Sequence, residues 1–256
     1  MGSQRTVWIS ALLSAAVSCA AADLTAEQVR DVIASGGTRA HLARKDLSDL
    51  DLNRVDFRQA DLAGASLFGT KLVLANLSGA NLSNANLNGA WLMGADFTGA
   101  DLSNAMLMSV VILGGEITQR PTFTRANLSG ARIIAELDGA SLAGANLSSA
   151  HLGVNIRNQG MGQMRTNLSG ADLSGANLSN ADANRSLLRF ANLRGANLSR
   201  ANFFRADLSG ADLTTAELTG ADFTEADLAG AILRNVTGLD AVKGLDQAIN
   251  LDRAIH

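Results

Sequence analysis

The sequence is short of the residues that small exported folds and most catalytic centres depend on. There is one cysteine, Cys19, so no disulfide can form within the chain. Proline occurs once, at Pro121, tyrosine is absent, and aromatic residues make up only 4% of the chain. The formal charge of -3 is nearly balanced and provides no general basic surface for nucleic acid. The composition therefore excludes a disulfide scaffold and gives no expectation of nucleic-acid binding.

Recognisable catalytic patterns are missing as well. The three histidines, His41, His151 and His256, are far apart, and the chain has no H-E-x-x-H, P-loop or G-x-S-x-G string. Aspartate and glutamate occur as single residues within a repeat, where solvation is their usual role. We therefore predict a protein that is not an enzyme and uses no cofactor and no metal. A catalytic cleft beneath the irregular segment 157–165 is the alternative.

The first residues have the pattern of an export signal. Arg5 precedes an apolar run from Val7 to Val17, and small residues follow it. This predicts a signal peptide over residues 1–22, cleaved between Ala20 and Asp23, and a periplasmic or secreted protein. A buried apolar helix is one alternative. Lipid attachment at Cys19, which follows the weakly lipobox-like string AVS, is another.

Most of the chain repeats with a period of five. A central Leu, Phe or Ile recurs from Leu47 to Ile112 and again from Leu168 to Leu233, usually with Ala two positions earlier. A helix would rotate this apolar residue by about 140° per repeat, and a continuous strand would reverse its face each time. Within one repeat, however, Ala and Leu point the same way. The pattern predicts a coil of short straight sides with Ala and Leu inside.

The strings ANLSGANLSNANL (75–87) and ADLSGANLSNAD (171–182) resemble the pentapeptide-repeat family. The resemblance implies an all-β fold, a right-handed quadrilateral parallel β-helix with twenty residues per coil, over residues 42–234. It implies about nine coils and a rod of roughly 45 Å. Phe203 and Phe223 should then stack, and Ala183, one coil earlier, should make room for Phe203.

Both ends of such a solenoid need a cover. At residues 23–41, Thr25 and Gln28 predict a capping box, and Leu24 with Val29 a hydrophobic staple, at the start of a helix. At residues 235–256 a six-residue pattern, GLDAVK, GLDQAI and NLDRAI, predicts short helical turns with Asp as N-cap. These would pack Leu239, Leu245 and Leu251 on the last coil. A homodimer contact, as in some family members, is the alternative for this segment.

The five-residue register slips in several places. The step from Ile117 to Phe123 is six residues, with Pro121 in an inward slot, and the step from Ile133 to Leu137 is four. Residues 157–165 fit no repeat and predict an irregular insert. Such an insert is either a tolerated loop or a binding loop, with Arg157, Met161, Met164 and Arg165 as candidates.

Large apolar residues replace polar ones in one part of the repeat. Counting in twenties, Lys71, Trp91 and Val111 share one outward slot. The same count places Val73, Met93 and Leu113 in the slot two positions later, with Ile134 extending it, and Met106 and Met108 on the preceding side. We predict that a partner covers this wall. The alternatives are cover by the N-terminal helix or the 157–165 loop, with a cation–π contact between Lys71 and Trp91.

A second wall feature is a series of arginines. Arg165, Arg185 and Arg205 are twenty apart and Glu225 follows. The series predicts either an anion site or ion pairs with Asp182, Asp207 or Glu225.

Two functions follow as hypotheses. The first is an exported, non-enzymatic scaffold that binds a protein or envelope component through one face of the solenoid. The second comes from the resemblance, because some pentapeptide-repeat proteins mimic DNA and bind DNA gyrase. That role needs a strongly acidic rod, and here Arg185, Arg189, Arg194, Arg200 and Arg205 offset the carboxylates.

Overall fold

The computed structural model describes residues 22–36, 40–112, 118–153 and 165–256. The predicted signal segment up to residue 21, with Cys19, lies outside these residues. So do Leu113, Arg157, Met161 and Met164. Within the described part, no helix has the length and apolar character needed to span a bilayer.

The five-residue repeat forms a coil because each residue has a fixed direction. Leu62 and Ala65 point inward and are fully buried. The Ala65 N–H donates to the Leu62 carbonyl at 3.0 Å and closes a tight turn. The residue before Ala65 has φ +64° and is glycine, which adopts this left-handed conformation without strain. Each repeat therefore contributes one side and one corner.

Coils stack through parallel bridges between outward residues, which form four columns. Each column has ten members on successive levels, a rise of about 43 Å at strand spacing. The first column is His41, Asp61, Asn81, Asp101, Asn127, Asn146, Asn177, Asn197, Glu217 and Thr237. The second is Asp46, Ser66, Asn86, Met106, Arg132, His151, Asp182, Asn202, Asp222 and Lys243. The third is Asp51, Lys71, Trp91, Val111, Glu136, Asn167, Leu187, Asp207, Asp227 and Ile249. The fourth is Asp56, Asn76, Asp96, Thr122, Ser141, Asp172, Asn192, Asp212, Ile232 and Ile255.

Long strands are not part of this architecture. Of the described residues, only β1 (Met106–Met108) and β2 (Arg132–Ile134) form a two-stranded sheet, with parallel pairing. Everywhere else the chain turns a corner after each bridge. Five residues leave room for one bridged position per side.

The core is a ladder of stacked Leu, Phe and Ala side chains. The rings of Phe203 and Phe223 stack with centroids 5.3 Å apart and planes 21° apart, as their spacing predicts. Ala183 lies one level before Phe203 and is fully buried. Because Ala183 is small, the core next to Phe203 has room for the two stacked rings.

A helix, α1 (Ala26–Gly36), lies against the first level, and the predicted range 23–41 is too wide for it. The predicted capping box is present: Thr25 N–H donates to Gln28 Oε1 at 2.7 Å, and Gln28 N–H to Thr25 Oγ1 at 3.2 Å. Val29 is fully buried. Arg30 Nη2 donates to the Asp51 carbonyl at 2.8 Å and ties the helix to the first level.

The C-terminal segment forms the predicted short helical turns, and Leu239, Leu245 and Leu251 pack against the core as expected. It contains three 3₁₀ helices, Leu239–Ala241, Leu245–Gln247 and Leu251–Arg253. Their N-caps are Gly238, Gly244 and Asn250 in left-handed conformation, not the predicted aspartates. The segment bridges Glu217, Asp222, Asp227 and Ile232, so it forms the tenth level. The six-residue period arises because each corner here is a 3₁₀ turn.

At three levels, the number of residues from one bridged position to the next in its column differs from twenty. Asp96 bridges Thr122, 26 positions later, so this coil carries six extra residues. Arg132 bridges His151 after 19 residues, and His151 bridges Asp182 after 31. The prediction of a one-residue slip before Phe123 was therefore wrong in size, although Pro121 is buried as expected. The longer insertion falls between His151 and Asn167, where residues 154–164 lie outside the described part.

Candidate binding surface

The regular outward residues have a structural role. Asn76 Oδ1 accepts hydrogen bonds from the Ser78 N–H at 3.0 Å and from Ser78 Oγ at 2.8 Å. Asn81 Nδ2 donates to Asp61 Oδ1 on the preceding level at 3.1 Å. Asparagine and aspartate thus hold both the corner that follows them and the next level. These residues need no functional explanation.

From the second to the eighth level, apolar and basic departures from this chemistry are confined to two neighbouring columns. The first column is polar throughout, and the fourth is polar from Asp56 to Asp212. In the second and third columns, the middle levels replace Asn and Asp with apolar or basic residues: Lys71, Trp91, Met106, Val111, Arg132, His151 and Leu187. None of these side chains can accept the corner N–H bond that Asn76 accepts, His151 in one tautomer excepted.

Asparagines of the preceding level compensate in part. Asn53 Oδ1 accepts the N–H of Val73 at 2.9 Å, two residues after Lys71. Asn88 Oδ1 accepts the N–H of Met108 at 2.9 Å, two residues after Met106. The chain therefore keeps these corners closed while the outward position carries a side chain of another type.

The predicted wall is only partly exposed. Trp91 is 41% exposed and Met106 39%, whereas Val111 and Met108 are half-buried. The expectation that Val73, Met93 and Ile134 lie on the surface was wrong, because they are 8%, 4% and 9% exposed. Val73 and Met93 occupy the corner after the third column. The chain returns from the six-residue insertion there, and the Gly94 N–H donates to the Gln119 carbonyl at 2.8 Å.

Ile134 also belongs to a different stack from the predicted one. It pairs with Met108 in the β1–β2 ladder and so lies at the corner between the second and third columns. The sequence count placed it after Met93 because the six extra residues between Val111 and Thr122 were counted as one.

One exposed aromatic residue was missed. Phe68 is 50% exposed and lies at the second-to-third corner, one level before Trp91. The string SLFGT, in which Phe fills a slot that is commonly Ser, was the available signal. We call the set Phe68, Trp91, Met106, Met108 and Val111 the apolar corner. Lys71 Nζ lies 5.9 Å from the Trp91 ring centroid, in the expected cation–π contact.

Helix α1 does not cover the apolar corner. Its hydrogen bonds to the solenoid reach Asp51 on the first level, and those of the preceding Asp23 reach Asp46. Trp91 is on the third level of its column and remains exposed. The predicted alternative of cover by the N-terminal helix was therefore wrong, whereas the loop candidates Arg157, Met161 and Met164 are outside the described part.

A cavity of about 360 Å³ continues from the apolar corner. It is lined by Ser109, Val110, Ile134, Ala135, Glu136, Arg165 and Leu187. It lies where the fifth level has 19 residues between bridges instead of twenty. Within the described residues, Val111 and Glu136 are the one pair of successive column members that no bridge joins. We call this cavity the corner notch.

The arginine series lies directly beyond the corner notch. Arg205 Nε donates to Glu225 Oε2 at 2.5 Å, and this bond lowers the pKa of Glu225 below its ordinary value. The Arg205 guanidinium also lies 4.9 Å from the Phe204 ring centroid. Asp207 pairs with Arg189 at 3.4 Å, and Asp182 accepts from Asn184 and Asn202. Of the predicted ion pairs, only Arg205 with Glu225 forms.

The other two arginines differ. Arg185 Nε is buried and has no hydrogen-bond partner among the described residues. Arg165 is exposed at the corner notch. In the described part of the chain, no three His, Cys, Asp or Glu side chains are grouped to hold a metal ion.

Comparison with known proteins agrees with the repeat seen in the sequence and the structure. A family model described as pentapeptide repeats matches residues 38–72, 72–111, 166–203 and 201–237. The crystal structure of HetL, a pentapeptide repeat protein involved in heterocyst differentiation regulation in the cyanobacterium Nostoc sp. strain PCC 7120, is similar. It shares 34% identity over 91% of this chain and 94% of that chain, with a TM-score of 0.50.

Two other solved structures are more distant. A pentapeptide repeat protein of the Arabidopsis thaliana thylakoid lumen is 28% identical over 46% of this chain and 70% of its own, with a TM-score of 0.28. QnrB1, a plasmid-mediated fluoroquinolone resistance protein, is 18% identical over 82% and 90%, with a TM-score of 0.36. No curated protein matches the sequence.

Proposed function

The chain belongs to the pentapeptide-repeat family, and on that premise we propose that it is an exported, non-enzymatic scaffold that binds a protein or envelope component through the apolar corner. The solenoid is the rigid support, and the function resides in a surface built on it.

The confinement of the substitutions to two columns, from the second to the eighth level, carries this proposal. Asn and Asp in the outward slot form hydrogen bonds that each contribute about 1 kcal/mol, and the side chains of Trp91 and Val111 cannot form them. Substitutions spread at random would reach all four columns. A local loss of stabilising bonds in favour of exposed apolar area is typical of a functional surface.

The chemistry of the apolar corner resembles a protein interface. Trp, Phe and Met are enriched at interface centres, where they bury a large area on binding. Phe68 and Trp91 are rigid and exposed, and Lys71 and Arg132 provide charge beside them. A partner with an apolar centre and acidic groups at the edge would complement this surface.

Export is supported by the sequence alone, from Arg5 and the apolar run that ends at Val17. Intact mass after cell fractionation tests it. A periplasmic or secreted chain beginning between Ala20 and Asp23 supports export, and a lipid-modified chain beginning at Cys19 supports a membrane anchor. Full-length protein in the cytoplasm would contradict both.

The gyrase-binding alternative has weaker support. A DNA mimic needs a continuous negative surface, but several carboxylates are paired with arginine. Asp56 pairs with Arg58 at 2.6 Å and Asp138 with Arg120 at 2.5 Å. Asp212 pairs with Arg194 at 2.9 Å, and Asp207 with Arg189 as described. These pairs lower the negative potential of the rod, so we do not propose this function.

Site-specific photo-crosslinking in the native host tests the binding surface. A benzophenone amino acid replaces Trp91 in one variant and Arg194, at the corner between the fourth and first columns, in the control. We expect one major crosslinked partner from position 91, lost when Met106→Asp is added, and none from position 194. No product at position 91, or the same products from both positions, would overturn the proposal.

A further inference from the structure

The apolar corner contains a shallow trough because two successive levels have glycine at the second-to-third corner. Gly69 and Gly89 both adopt the left-handed conformation, with φ of 64° and 69°. A Cβ added at Gly89 would meet only the main chain of Gly69, at 3.8 and 3.9 Å. Phe68 and Lys71 stand on either side of Gly69, and Trp91 stands beside Gly89. The glycines therefore leave a strip along the rod that is lower than the side chains around it.

The trough ends at a carboxylate on the first level. The Asp49 side chain lies over Gly69, because Asp49 Oδ1 is the first atom that a Cβ added there would meet. Asp51 is exposed in the third column of the same level. Among the described residues, neither aspartate forms an ion pair, and Arg30 reaches the main-chain carbonyl of Asp51. The trough thus has a negative end at the first level.

The apolar side chains of this surface are spaced one per level along the rod. Phe68, Trp91 and Met106 lie on the second, third and fourth levels, about 4.8 Å apart. One turn of an α-helix laid along the rod advances about 5.4 Å, so its facing side chains drift from the levels by only about 0.6 Å per step. Side chains on one face of a strand are about 6.6 Å apart and drift by about 1.8 Å per step. One face of a helix can therefore contact all three levels, whereas one face of a strand cannot.

The negative end of the trough gives such a helix a direction. The first four N–H groups of a helix have no partner within it, and the helix dipole makes this end partly positive. A helix that begins at Asp49 directs these groups to the carboxylate. Its apolar residues at i, i+3 or i+4, and i+7 then meet successive levels. The opposite direction would bring the unpaired carbonyl groups of the helix C-terminus to Asp49, where the two negative ends repel each other.

We propose that the apolar corner binds an amphipathic α-helix of a protein partner, with the helix axis along the rod and the helix N-terminus at Asp49. The second to fourth levels accommodate about ten residues of helix. The apolar face of the helix covers Phe68, Trp91 and Met106, and an acidic residue at its flank faces Lys71. This inference rests on the proposed function, because it names the form in which the partner meets the same surface.

Crosslink mapping along the rod tests the helix. Phe68 and Met108 occupy the same slot two levels apart, as do Ser66 and Met106 in the second column. A benzophenone amino acid replaces each of the four in turn in the full chain in its native host, and mass spectrometry identifies the attached partner residue. Over two levels a helix advances about six residues and a strand about three. We expect an advance of about six in both pairs, with partner residue numbers rising from Phe68 to Met108 and from Ser66 to Met106.

Asp49→Asn tests the direction independently. This change removes the charge at the helix N-terminus and should lower the crosslinked yield from position 91 about two- to fivefold. The control is Asp240→Asn, because Asp240 is exposed on the tenth level and should leave the yield unchanged.

Four results would overturn the inference. They are an advance of about three residues over two levels, attachment to a lipid, a glycan or separate segments of the partner, partner numbers that fall instead of rise, and equal yields from Asp49→Asn and Asp240→Asn. Any of these with a product at position 91 leaves the scaffold proposal intact. No product from position 91 would remove the proposed function and the helix with it.

Discussion

Phe97 and Phe123 are 26 positions apart, yet their rings stack with centroids 4.9 Å apart and planes only 9° apart. Six residues separate this spacing from the twenty of a regular coil. The core ladder is therefore continuous across the insertion, which falls between Ile112 and Gln119. Met93 lies in the corner to which the chain returns and is buried, and its neighbour Gly94 bonds the Gln119 carbonyl.

The extra residues can be assigned. The Leu74 N–H donates to the Met93 carbonyl, and on the next level the Gly94 N–H donates to the Gln119 carbonyl, both at 2.8 Å. Gln119 thus occupies the position that would follow Ile112 in a regular coil. We predict that deleting residues 113–118 leaves the free energy of unfolding within about 1 kcal/mol of the wild type, because Gln119 already stands in the position after Ile112 and the entropy of loop closure changes slowly with loop length. Urea unfolding measures it. Loss of the cooperative transition would show that the segment is part of the core.

The polar ladder makes a second prediction. Asn146 Nδ2 donates to Asn127 Oδ1 at 3.0 Å, and Asn146 Oδ1 accepts from Asn177 Nδ2 and from the Ser148 N–H, each at 3.2 Å. Asn146→Ala should lower the free energy of unfolding by about 1–3 kcal/mol, because it leaves half-buried partners unpaired.

The matched control for this ladder is His151→Ala on the same level. His151 belongs to the second column and is exposed. We expect a change within about 0.5 kcal/mol. A similar cost for both variants, measured by urea unfolding, would mean that the polar ladder does not distinguish the first column from the second.

Acid should destabilise the fold. The Ser48 side chain lowers the pKa of Asp46, that of Arg58 lowers the pKa of Asp56, and that of Arg205 lowers the pKa of Glu225, each by hydrogen bonding. A carboxyl whose pKa is lower in the folded state stabilises the fold above its unfolded pKa, and this contribution is lost as pH falls through the folded value. We expect little change in the stability that these groups provide from pH 7 to 5.5, and a decline below the ordinary values of 4.5 for Glu and 3.8 for Asp.

Urea unfolding at pH 7, 5.5 and 3 measures this dependence. Glu225→Gln removes one of the contributing carboxyl groups and should reduce the loss of stability between pH 5.5 and 3. A chain equally stable at all three values would contradict the assignment.

The residue pattern alone predicted a coil of short sides, because Leu and Ala at fixed positions of a five-residue period permit one inward direction and dozens of repeats agree on it. The coil length of twenty came from the resemblance to the pentapeptide-repeat family, and the stacking of Phe203 on Phe223 follows from it. The capping box of Thr25 and Gln28 was equally accessible, because it depends on two residues three apart. Both are local rules, and no distant part of the chain alters them.

Where the five-residue count fails, only the tertiary structure shows which residues stack and which are exposed. In the sequence, Ile117 keeps the apolar spacing of the repeat, so the count did not detect the six extra residues. It therefore placed Ile134 in the stack of Met93, whereas Ile134 stacks on Met108. The burial of Val73 and Met93 and the exposure of Phe68 depend on which corner each residue reaches and on what stacks beside it. The corner notch lies at a level that is one residue short, where Glu136 follows Arg132 after four residues instead of five. The sequence shows that a repeat is one residue short. Whether a cavity results depends on the residues that surround this corner in space, and these come from distant parts of the chain.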